Sequence, residues 1–312
     1  MLSPLADAGA DEFYMGFFDP GWKEKFGAYS DLNRLTLFKE TANRYELKDI
    51  GPIVKEVHAR KAVLYITLNA PGYSKSQLDV IDGYLKQLSE YGADGIITSV
   101  PELIPMIEAH AMKPIASTMC CIQNSDMAAW YKSLGMKRMI LPRELTTDEI
   151  FSIMKNVPDV EYEVFFMRNG CRYSDGNCLG LHGGEHGALC YSLRTAPAEY
   201  FTAPGEEDLW WQIKDTHEKF STVFREYACG QCALYRFLKA GVSALKIVGR
   251  LDDSEEILQD VRLTSENIAV AENCGSEEEY LANMRLPGNL HDYCRGGMSC
   301  YYPEVRWKNH NM

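Results

Sequence analysis

The stretch LKAGVSALKIVG, from Leu238 to Gly249, decides the fold because it joins three signals in twelve residues. A helical segment ends, a glycine follows where left-handed backbone stops a helix, and a short apolar run comes next. The same order occurs in LADAGADEFYMG (Leu5–Gly16) and in LSEYGADGIITS (Leu88–Ser99). A repeated unit of this kind is typical of a βα architecture with a parallel sheet.

Apolar runs that read as strands alternate with helical patterns along the chain, and several are continuous rather than alternating. Continuous apolar strands are typical of a parallel sheet covered by helices on both faces. The runs are Glu12–Phe17, Ala62–Asn69, Gly95–Val100, Pro114–Met119, Arg138–Pro142, Glu161–Met167 and Ala244–Gly249.

The strand count predicts an α/β fold, a TIM-like barrel whose first strand is missing from this chain. A closed barrel of this class has eight strands, whereas seven are counted here. Either the sheet is open at that point, or another segment fills the gap, or the true start lies upstream. We predict a barrel domain over residues 1–275, with a cysteine-rich insertion at about 169–240, and a C-terminal tail over 276–312.

The bulk composition limits the function classes. A hydrophobic content of 46% suffices for a sizeable core, and the formal net charge of -12 gives no general attraction for a phosphate backbone. Nucleic-acid binding would therefore need a local basic pocket. No apolar run is long enough to span a bilayer and the first residues lack a leader pattern, so we expect a cytoplasmic protein without membrane contact.

Two of the ten cysteines lie in the polar loop NGCRYSDGNC (Asn169–Cys178), directly after the apolar run EYEVFFM. Without an export signal, disulfides are not the expected use of these thiols. Loops that follow parallel strands form the active-site face of a barrel, and polar loops can wrap an iron–sulfur cluster, which needs four soft ligands. The candidate ligands are Cys171, Cys178, Cys190 and Cys229; scattered buried thiols are the alternative.

The run EVFFMRNGCRYSDGNC resembles the signature of the collagenase-like peptidase family, peptidase family U32. The matching positions are Glu163, Phe165, Cys171, Tyr173, Ser174, Gly176 and Cys178. The resemblance continues in AGADEFYMG, in ANRY at Ala42–Tyr45, at His58, in YITLN and PRELT, and in AGVSALKIVGR. It covers most of the chain from about Leu5 to Ala271.

The resemblance implies a [4Fe–4S] cluster on Cys171, Cys178, Cys190 and Cys229, and oxygen-independent hydroxylation. Targets in the family include a transfer-RNA uridine, a ribosomal-RNA cytidine and ubiquinone precursors. The expected reaction is therefore hydroxylation or related redox chemistry on a small anionic molecule or a nucleotide. A peptidase and a cluster-carrying, non-catalytic partner subunit are the alternatives, and a homo- or hetero-oligomer with another family member is a further expectation.

Two departures from the family pattern concern substrate contacts more than ligands. The family's HGALC is MRNGC here, and the arginine-rich run around the third cysteine is replaced by LHGGEHGALC. The candidate substrate residues are polar side chains at strand ends, since arginine can grip a carboxylate with two parallel hydrogen bonds. They are Asn69, Arg143, Glu144, Arg168 and Arg250; each could equally be a structural ion-pair partner.

Three other motifs suggest competing chemistry. HGGEH (His182–His186) has the spacing of an inverted zinc-protease motif, but its central glycines disfavour the helix that such a motif needs. CGQC (Cys229–Cys232) has the spacing of a redox dithiol, or Cys232 is a spare ligand. CRGGMSC (Cys294–Cys300) caps the barrel mouth, supplies another redox site, or is an ordinary tail.

Overall fold

A seven-stranded parallel sheet forms the centre of the structure, which is a computed structural model describing residues 2–27, 31–33, 43–177, 207–249, 252–288, 294 and 296–307. The strands follow one another in sequence order and every neighbouring pair is parallel. Their bounds are β1 Glu12–Met15, β2 Val63–Thr67, β3 Gly95–Thr98, β4 Lys113–Ala116, β5 Arg138–Ile140, β6 Glu161–Met167 and β7 Ala244–Ile247. All seven predicted runs contain a strand, which confirms the predicted fold class.

Helices alternate with the strands and cover the sheet. They are α1 Leu2–Asp7, α2 Pro20–Phe26, α3 Ile50–Ala59, α4 Lys75–Tyr91, α5 Leu103–Ala109, α6 Ser125–Ser133, α7 Thr147–Asn156, α8 Glu207–Tyr227, α9 Leu234–Ala240, α10 Ser254–Asn273 and α11 Glu277–Asn283. Among the described residues, none of these helices is both long enough and apolar enough to cross a membrane.

Local sequence explains where the helices begin and end. The Ser74 hydroxyl accepts from the backbone N–H of Gln77, whose side chain accepts in return from Ser74 N–H, so α4 starts with a capping box. It ends at Gly92, whose φ of 86° is readily available to glycine. Thr146 and Glu149 make the same reciprocal pair at the start of α7.

The sheet curls into a half-barrel, and a buried arginine shows this directly. Arg138 begins β5, and its Nη2 atom donates to Glu12 of β1 at 2.7 Å while its Nε atom donates to Glu161 of β6 at 2.6 Å. A second hydrogen bond from Nη1 to Glu12 makes the contact with β1 two-pronged. Because three strands separate β1 from β5, this contact requires the sheet to fold back on itself.

The two edge strands approach each other across the open side of the half-barrel. Lys246 of β7 lies 2.5 Å from a Glu163 carboxylate oxygen, and its Nζ atom lies 3.9 Å from the centroid of the Tyr14 ring on β1. No described residue forms a strand between β1 and β7. The described sheet is therefore an open half-barrel. The charged side chains inside it, which we call the floor, hold its strands together; they are Glu12, Arg138, Glu161, Glu163 and Lys246.

The segment beyond residue 275 packs against the barrel. Its helix α11 buries Tyr280 completely, and the Tyr280 hydroxyl donates to the Gln231 carbonyl at 2.8 Å. Further along, the Tyr302 hydroxyl donates to the Phe165 carbonyl of β6 at 2.7 Å. The end of the described chain thus returns to the central sheet.

We predict that Arg138→Met lowers the free energy of unfolding by about 2–3 kcal/mol, because it removes the charged hydrogen bonds of a buried arginine to Glu12 and Glu161. The Arg138 side chain is 4% exposed, whereas Glu163 keeps Lys246 as a nearer cation, so the loss falls mainly on the bonds to Glu12 and Glu161. Urea unfolding measures the change. Lys137→Met is the matched control: Lys137 is exposed and its ion pair with Glu108 lies at the surface, so we expect a change within about 0.5 kcal/mol. Equal effects of the two substitutions would contradict this account of the floor.

Candidate functional site

Polar side chains gather at the carboxyl ends of the strands, where the loops after β2, β4, β5 and β6 meet. Asn69 follows β2, and its side-chain amide donates to the hydroxyl of Ser117, which follows β4, at 3.2 Å. Both residues are buried. This end of the sheet is the one where parallel α/β folds place their active sites.

The turn between β6 and the cysteine loop has an unusual backbone. Arg168 and Asn169 both have positive φ angles, 59° and 49°, although neither is glycine. Such residues cost free energy and persist only where their surroundings hold them. Here Arg168 N–H donates to the Ala228 carbonyl at 2.8 Å and Asn169 N–H to the Arg225 carbonyl at 2.7 Å. The turn is therefore fixed against the segment that leads to Cys229.

Side chains hold the same turn from the other side. Arg168 pairs with Asp260 and, at 2.8 Å, with Glu256 of α10. The Asn169 amide donates to the Val248 carbonyl after β7 at 3.1 Å. The departure MRNGC from the family's HGALC thus has a structural explanation, because both new side chains anchor the turn that leads into the cysteine loop.

All three guanidinium nitrogens of Arg143 contact the cysteine loop, the described residues 171–177, or the turn just before it. Its Nε and Nη2 atoms lie 3.0 and 2.9 Å from Asp175, and its Nη1 atom donates to the Asn169 carbonyl. Its guanidinium carbon lies 4.0 Å from the centroid of the Phe165 ring. Burial acts to lower the pKa of Arg143, but its neighbours, Asp175 first among them, together raise the pKa above its ordinary value. The ion pair fixes the loop over residues 171–177 to the end of the sheet.

The loop after β4 also supports the cysteine loop, through a thiol that the sequence did not single out as functional. Cys121 has a φ of 54°, and its sulfur lies 3.4 Å from the Ser174 hydroxyl. A Cβ atom at Gly176 would lie 2.2 Å from that sulfur. Glycine is therefore required at 176 for the two loops to touch.

Of the four predicted ligands, the structure describes Cys171 and Cys229, and both lie at the carboxyl end of β6. The Cys171 sulfur accepts from Tyr173 N–H at 3.4 Å. Cys229 forms an antiparallel bridge with Met167, the last residue of β6. Cys178 and Cys190 lie outside the described residues, as do the HGGEH motif and Arg250.

The C-terminal segment reaches this site as well. Cys229 N–H donates to the Ser299 carbonyl at 2.7 Å, and Tyr301 N–H donates to the Cys229 carbonyl at 3.0 Å. The Tyr301 hydroxyl donates to the Arg168 carbonyl at 2.5 Å. The CRGGMSC segment thus lies beside a predicted ligand, a contact that spacing in the sequence could not reveal.

The remaining candidates are paired within the chain or exposed. Glu144 accepts from the Gln123 amide at 3.0 Å at the surface. Arg143 and Arg168 both meet carboxylates of this chain, and their partners are Asp175, Asp260 and Glu256. The role of these candidates in binding an anionic substrate stays a prediction, and the structure does not describe Arg250.

An exposed cation stands next to Cys171. The Arg172 guanidinium carbon lies 4.0 and 3.9 Å from the ring centroids of Phe220 and Phe224. Burial of part of the side chain lowers the pKa of Arg172 below its ordinary value. A guanidinium plane held on aromatic rings offers a stacking surface as well as a charge.

The thiols differ in acidity according to burial and neighbours. Burial raises the pKa of Cys229 well above its ordinary value and raises the pKa of Cys232 to about 11. A hydrogen bond from Cys300, with help from the nearby Arg306 charge, lowers the pKa of Cys294 to about 7. Within the described part of the chain, no three histidine, cysteine, aspartate or glutamate side chains already stand as a metal site.

The fold and the site define an α/β half-barrel with thiols and charged side chains at its mouth. A family model described as Peptidase family U32 matches residues 1–302. The chain therefore belongs to peptidase family U32, which confirms the resemblance found in the sequence.

Curated relatives within this family are named for RNA hydroxylation. The tRNA hydroxylation protein P of Helicobacter pylori (strain J99) is 27% identical over 244 residues, 75% of this chain and 57% of that protein. The 23S rRNA 5-hydroxycytidine C2501 synthase of Escherichia coli (strain K12) is 30% identical over 274 residues, 81% of this chain and 36% of that protein. The chain spans about half the length, or less, of the curated relatives it matches.

A solved structure of the same family is also similar. The U32 peptidase Mk0906 has 13% sequence identity and a TM-score of 0.39, over 51% of this chain and 69% of that one.

We predict that Gly176→Ala destabilises the protein by about 1–3 kcal/mol, the usual cost of forcing an extra methyl group into a packed site. Exchanging the two positions tests the contact, because Cys121→Gly removes the blocking sulfur and suits the positive φ at 121. Urea unfolding of both single variants and of the double variant gives the coupling free energy between positions 121 and 176. The double variant should regain most of the stability that Gly176→Ala loses. Additive effects of the two substitutions would show that the loops do not touch at these positions.

Proposed function

We propose that this chain is an iron–sulfur enzyme that hydroxylates a nucleotide base in RNA without molecular oxygen. The observation that carries the proposal is that Cys171, four residues after β6, and Cys229, whose backbone bridges to Met167, both lie at the carboxyl end of β6. The relatives named for tRNA and rRNA hydroxylation support RNA as the substrate class.

The donor set at this site fits an iron–sulfur cluster. Thiolates are the ligands that such clusters use, and hydrogen bonds to the sulfurs tune their potential. The N–H of Tyr173 supplies one such bond to the Cys171 sulfur. We propose that Cys178 and Cys190 complete the set with Cys171 and Cys229. When bound, the cluster supplies an electron-transfer centre.

The chain's own residues give the site its shape. The paired Arg143 and Asp175 hold the loop that carries Cys171, and the anchored turn at Arg168 and Asn169 sets the direction in which that loop leaves β6. Arg172 is an exposed side chain next to Cys171 in sequence; its guanidinium lies on two aromatic rings, donates to the Met298 carbonyl at 3.2 Å, and is our candidate contact for a base or a phosphate. In a chain with a net charge of -12, such a local cation supplies the attraction that the whole molecule lacks.

Replacing C–H by C–OH removes two electrons from the base. The reaction therefore needs either water with a two-electron acceptor, or an organic donor that supplies the hydroxyl group and accepts the electrons. The buried polar pair Asn69 and Ser117 lies at the same end of the sheet.

Peptidase chemistry, the alternative that the family name suggests, receives no support from the described side chains. His58 and His110 pair with Asp94 and Asp82, at 2.9 and 3.0 Å. Asp94 precedes β3 and His110 precedes β4, so both pairs lie at the opposite end of the sheet from the thiols. Within the described part of the chain, no nucleophile at the mouth has a histidine base.

The cluster is tested by iron and sulfide analysis of anaerobically purified protein. We expect Cys171→Ser, Cys178→Ser, Cys190→Ser and Cys229→Ser each to lose at least about nine tenths of the iron, since a cluster rarely survives loss of a thiolate. Cys274→Ser is the matched control, because Cys274 is a buried thiol near the end of α10. Full iron content in the Cys171 and Cys178 variants would rule out this ligand set.

The reaction is tested in Escherichia coli lacking both its tRNA hydroxylation protein P and its 23S rRNA 5-hydroxycytidine C2501 synthase. Expression of the wild-type chain under anaerobic growth should produce a hydroxylated nucleoside in total RNA, detected by mass spectrometry. Cys171→Ser should produce none, because it removes the proposed cluster, whereas Cys274→Ser should behave as wild type. A folded, iron-loaded wild-type chain that yields no such nucleoside would refute RNA hydroxylation.

A further inference from the structure

A second group of thiols lies beside Cys229, and the proposed cluster does not use it. Cys232, Cys294 and Cys300 line one cavity together with Cys229. The other lining residues are Gly230, Ala233, Leu286, Ser299 and Tyr302. The thiols come from two spacings in the sequence, Cys–x2–Cys at 229–232 and Cys–x5–Cys at 294–300.

The backbone brings these segments together by defined contacts. Cys229 and Cys300 form a parallel bridge, so the two cysteine-bearing segments run side by side. A short 3-10 helix over Gln231–Ala233 then places Cys232 next to them. The Cys294 carbonyl accepts from Gly297 N–H at 3.0 Å, which closes a tight turn on the same side. Backbone hydrogen bonds between the two segments therefore hold these thiols close together.

An N–H donor and a cation stand close to these thiols. Trp307 N–H points at the Cys232 sulfur at 3.5 Å. The Arg306 guanidinium donates to the Cys294 carbonyl at 3.3 Å and is a charged neighbour of both the Cys232 and Cys294 thiols. The Cys300 thiol donates a hydrogen bond to the Cys294 sulfur. These groups would offset part of the negative charge that the sulfurs carry when a metal ion binds.

The size of the cavity favours a single metal ion over an iron–sulfur cluster. Its volume is about 10 Å³, roughly the space of one water molecule. A single ion fits there, whereas an iron–sulfur cubane does not. Cysteine is also a usual ligand of zinc, and a zinc ion with three protein ligands takes a water molecule at its fourth position.

We propose that Cys232, Cys294 and Cys300 bind a single soft divalent metal ion, zinc by preference, in a site separate from the proposed cluster. Since no three described side chains already stand at ligating positions, binding draws the three sulfurs inward. The hydrogen bond between Cys294 and Cys300 is replaced by metal–sulfur bonds, and each thiol that is still protonated releases its proton to solvent. Cys229 forms the wall between the two sites and stays with the cluster.

Burial argues against the competing role of Cys294 and Cys300 as a redox switch. The two residues are 6% and 7% exposed. Disulfide exchange requires access by the sulfur of a partner thiol, and a cavity of this size gives none. Metal binding needs no such access by a large molecule.

The first experiment is metal analysis of the full chain, purified without oxygen after growth with both iron and zinc. We expect about one zinc per wild-type chain. Cys232→Ser, Cys294→Ser and Cys300→Ser should each lose at least about nine tenths of the zinc and keep their iron. Cys274→Ser is the control, because Cys274 and Cys232 are equally buried at 9% exposure. Cys171→Ser should lose iron and keep zinc, so failure of the cluster and failure of this site are distinguishable.

The second experiment uses the wild-type chain, so it does not depend on whether a variant folds. After a chelator removes the zinc, titration with Co²⁺ should give thiolate-to-cobalt absorption that saturates at about one equivalent. The chelated protein should also unfold at lower urea than the zinc-loaded protein, and added zinc should restore the midpoint.

Three results would overturn the proposal. One is a wild-type chain with less than about a tenth of an equivalent of zinc and no cobalt–thiolate absorption. The second is loss of iron together with zinc in the variants of Cys232, Cys294 and Cys300, which would assign these thiols to the cluster. The third is a Cys294–Cys300 disulfide in metal-free protein purified without oxygen, shown by the mass of the intact chain.

Discussion

The two-pronged contact between Arg138 and Glu12 is the constraint on which the rest of the structure depends. It joins strands β5 and β1, which are not neighbours in the sheet, across 126 positions of sequence. A flat sheet would keep these strands too far apart to touch, since neighbouring strands are about 4.8 Å apart. The contact therefore fixes the curl at the floor of the half-barrel. The same curl brings the loops at the other end together, so that Cys121 after β4 can touch Ser174 after β6.

A second buried ion pair joins distant segments at the carboxyl ends of the strands, as Arg138 does at the floor. Arg143 and Asp175 hold the cysteine loop, and each is largely shielded from solvent. Buried charges are tolerated because each has its partner, and the geometry of the pair then specifies one position for the loop. β6 connects the two ends, since Glu163 contributes to the floor and the carbonyls of Phe165 and Arg168 accept the hydroxyls of Tyr302 and Tyr301.

Sequence predicted those parts of the fold that depend on local patterns. Apolar runs and glycine stops located all seven strands, and the polar residues after EYEVFFM placed Cys171 on the mouth side. Contacts between distant segments were not predictable in this way. The partner of Arg143 is Asp175, which lies 32 positions away, and not the adjacent Glu144 or the nearby Glu163. Likewise Cys300 lies beside Cys229 because its neighbours Ser299 and Tyr301 hydrogen-bond to the Cys229 backbone. No periodic pattern in the sequence predicts that contact.

Cys229 belongs to the proposed cluster and also lines the cavity of the other thiols, and its backbone is held from both sides. Met167 of β6 pairs with it on one side, and the segment from Ser299 to Tyr301 pairs with it on the other. A residue with backbone bonds to both segments can move little unless one of them is released. Ordering of the segment that carries Cys294 and Cys300 therefore also orders a ligand of the proposed cluster. The C-terminal segment in this way becomes part of the scaffold of the proposed active site, because the hydrogen bonds that place its own thiols are the same ones that place Cys229.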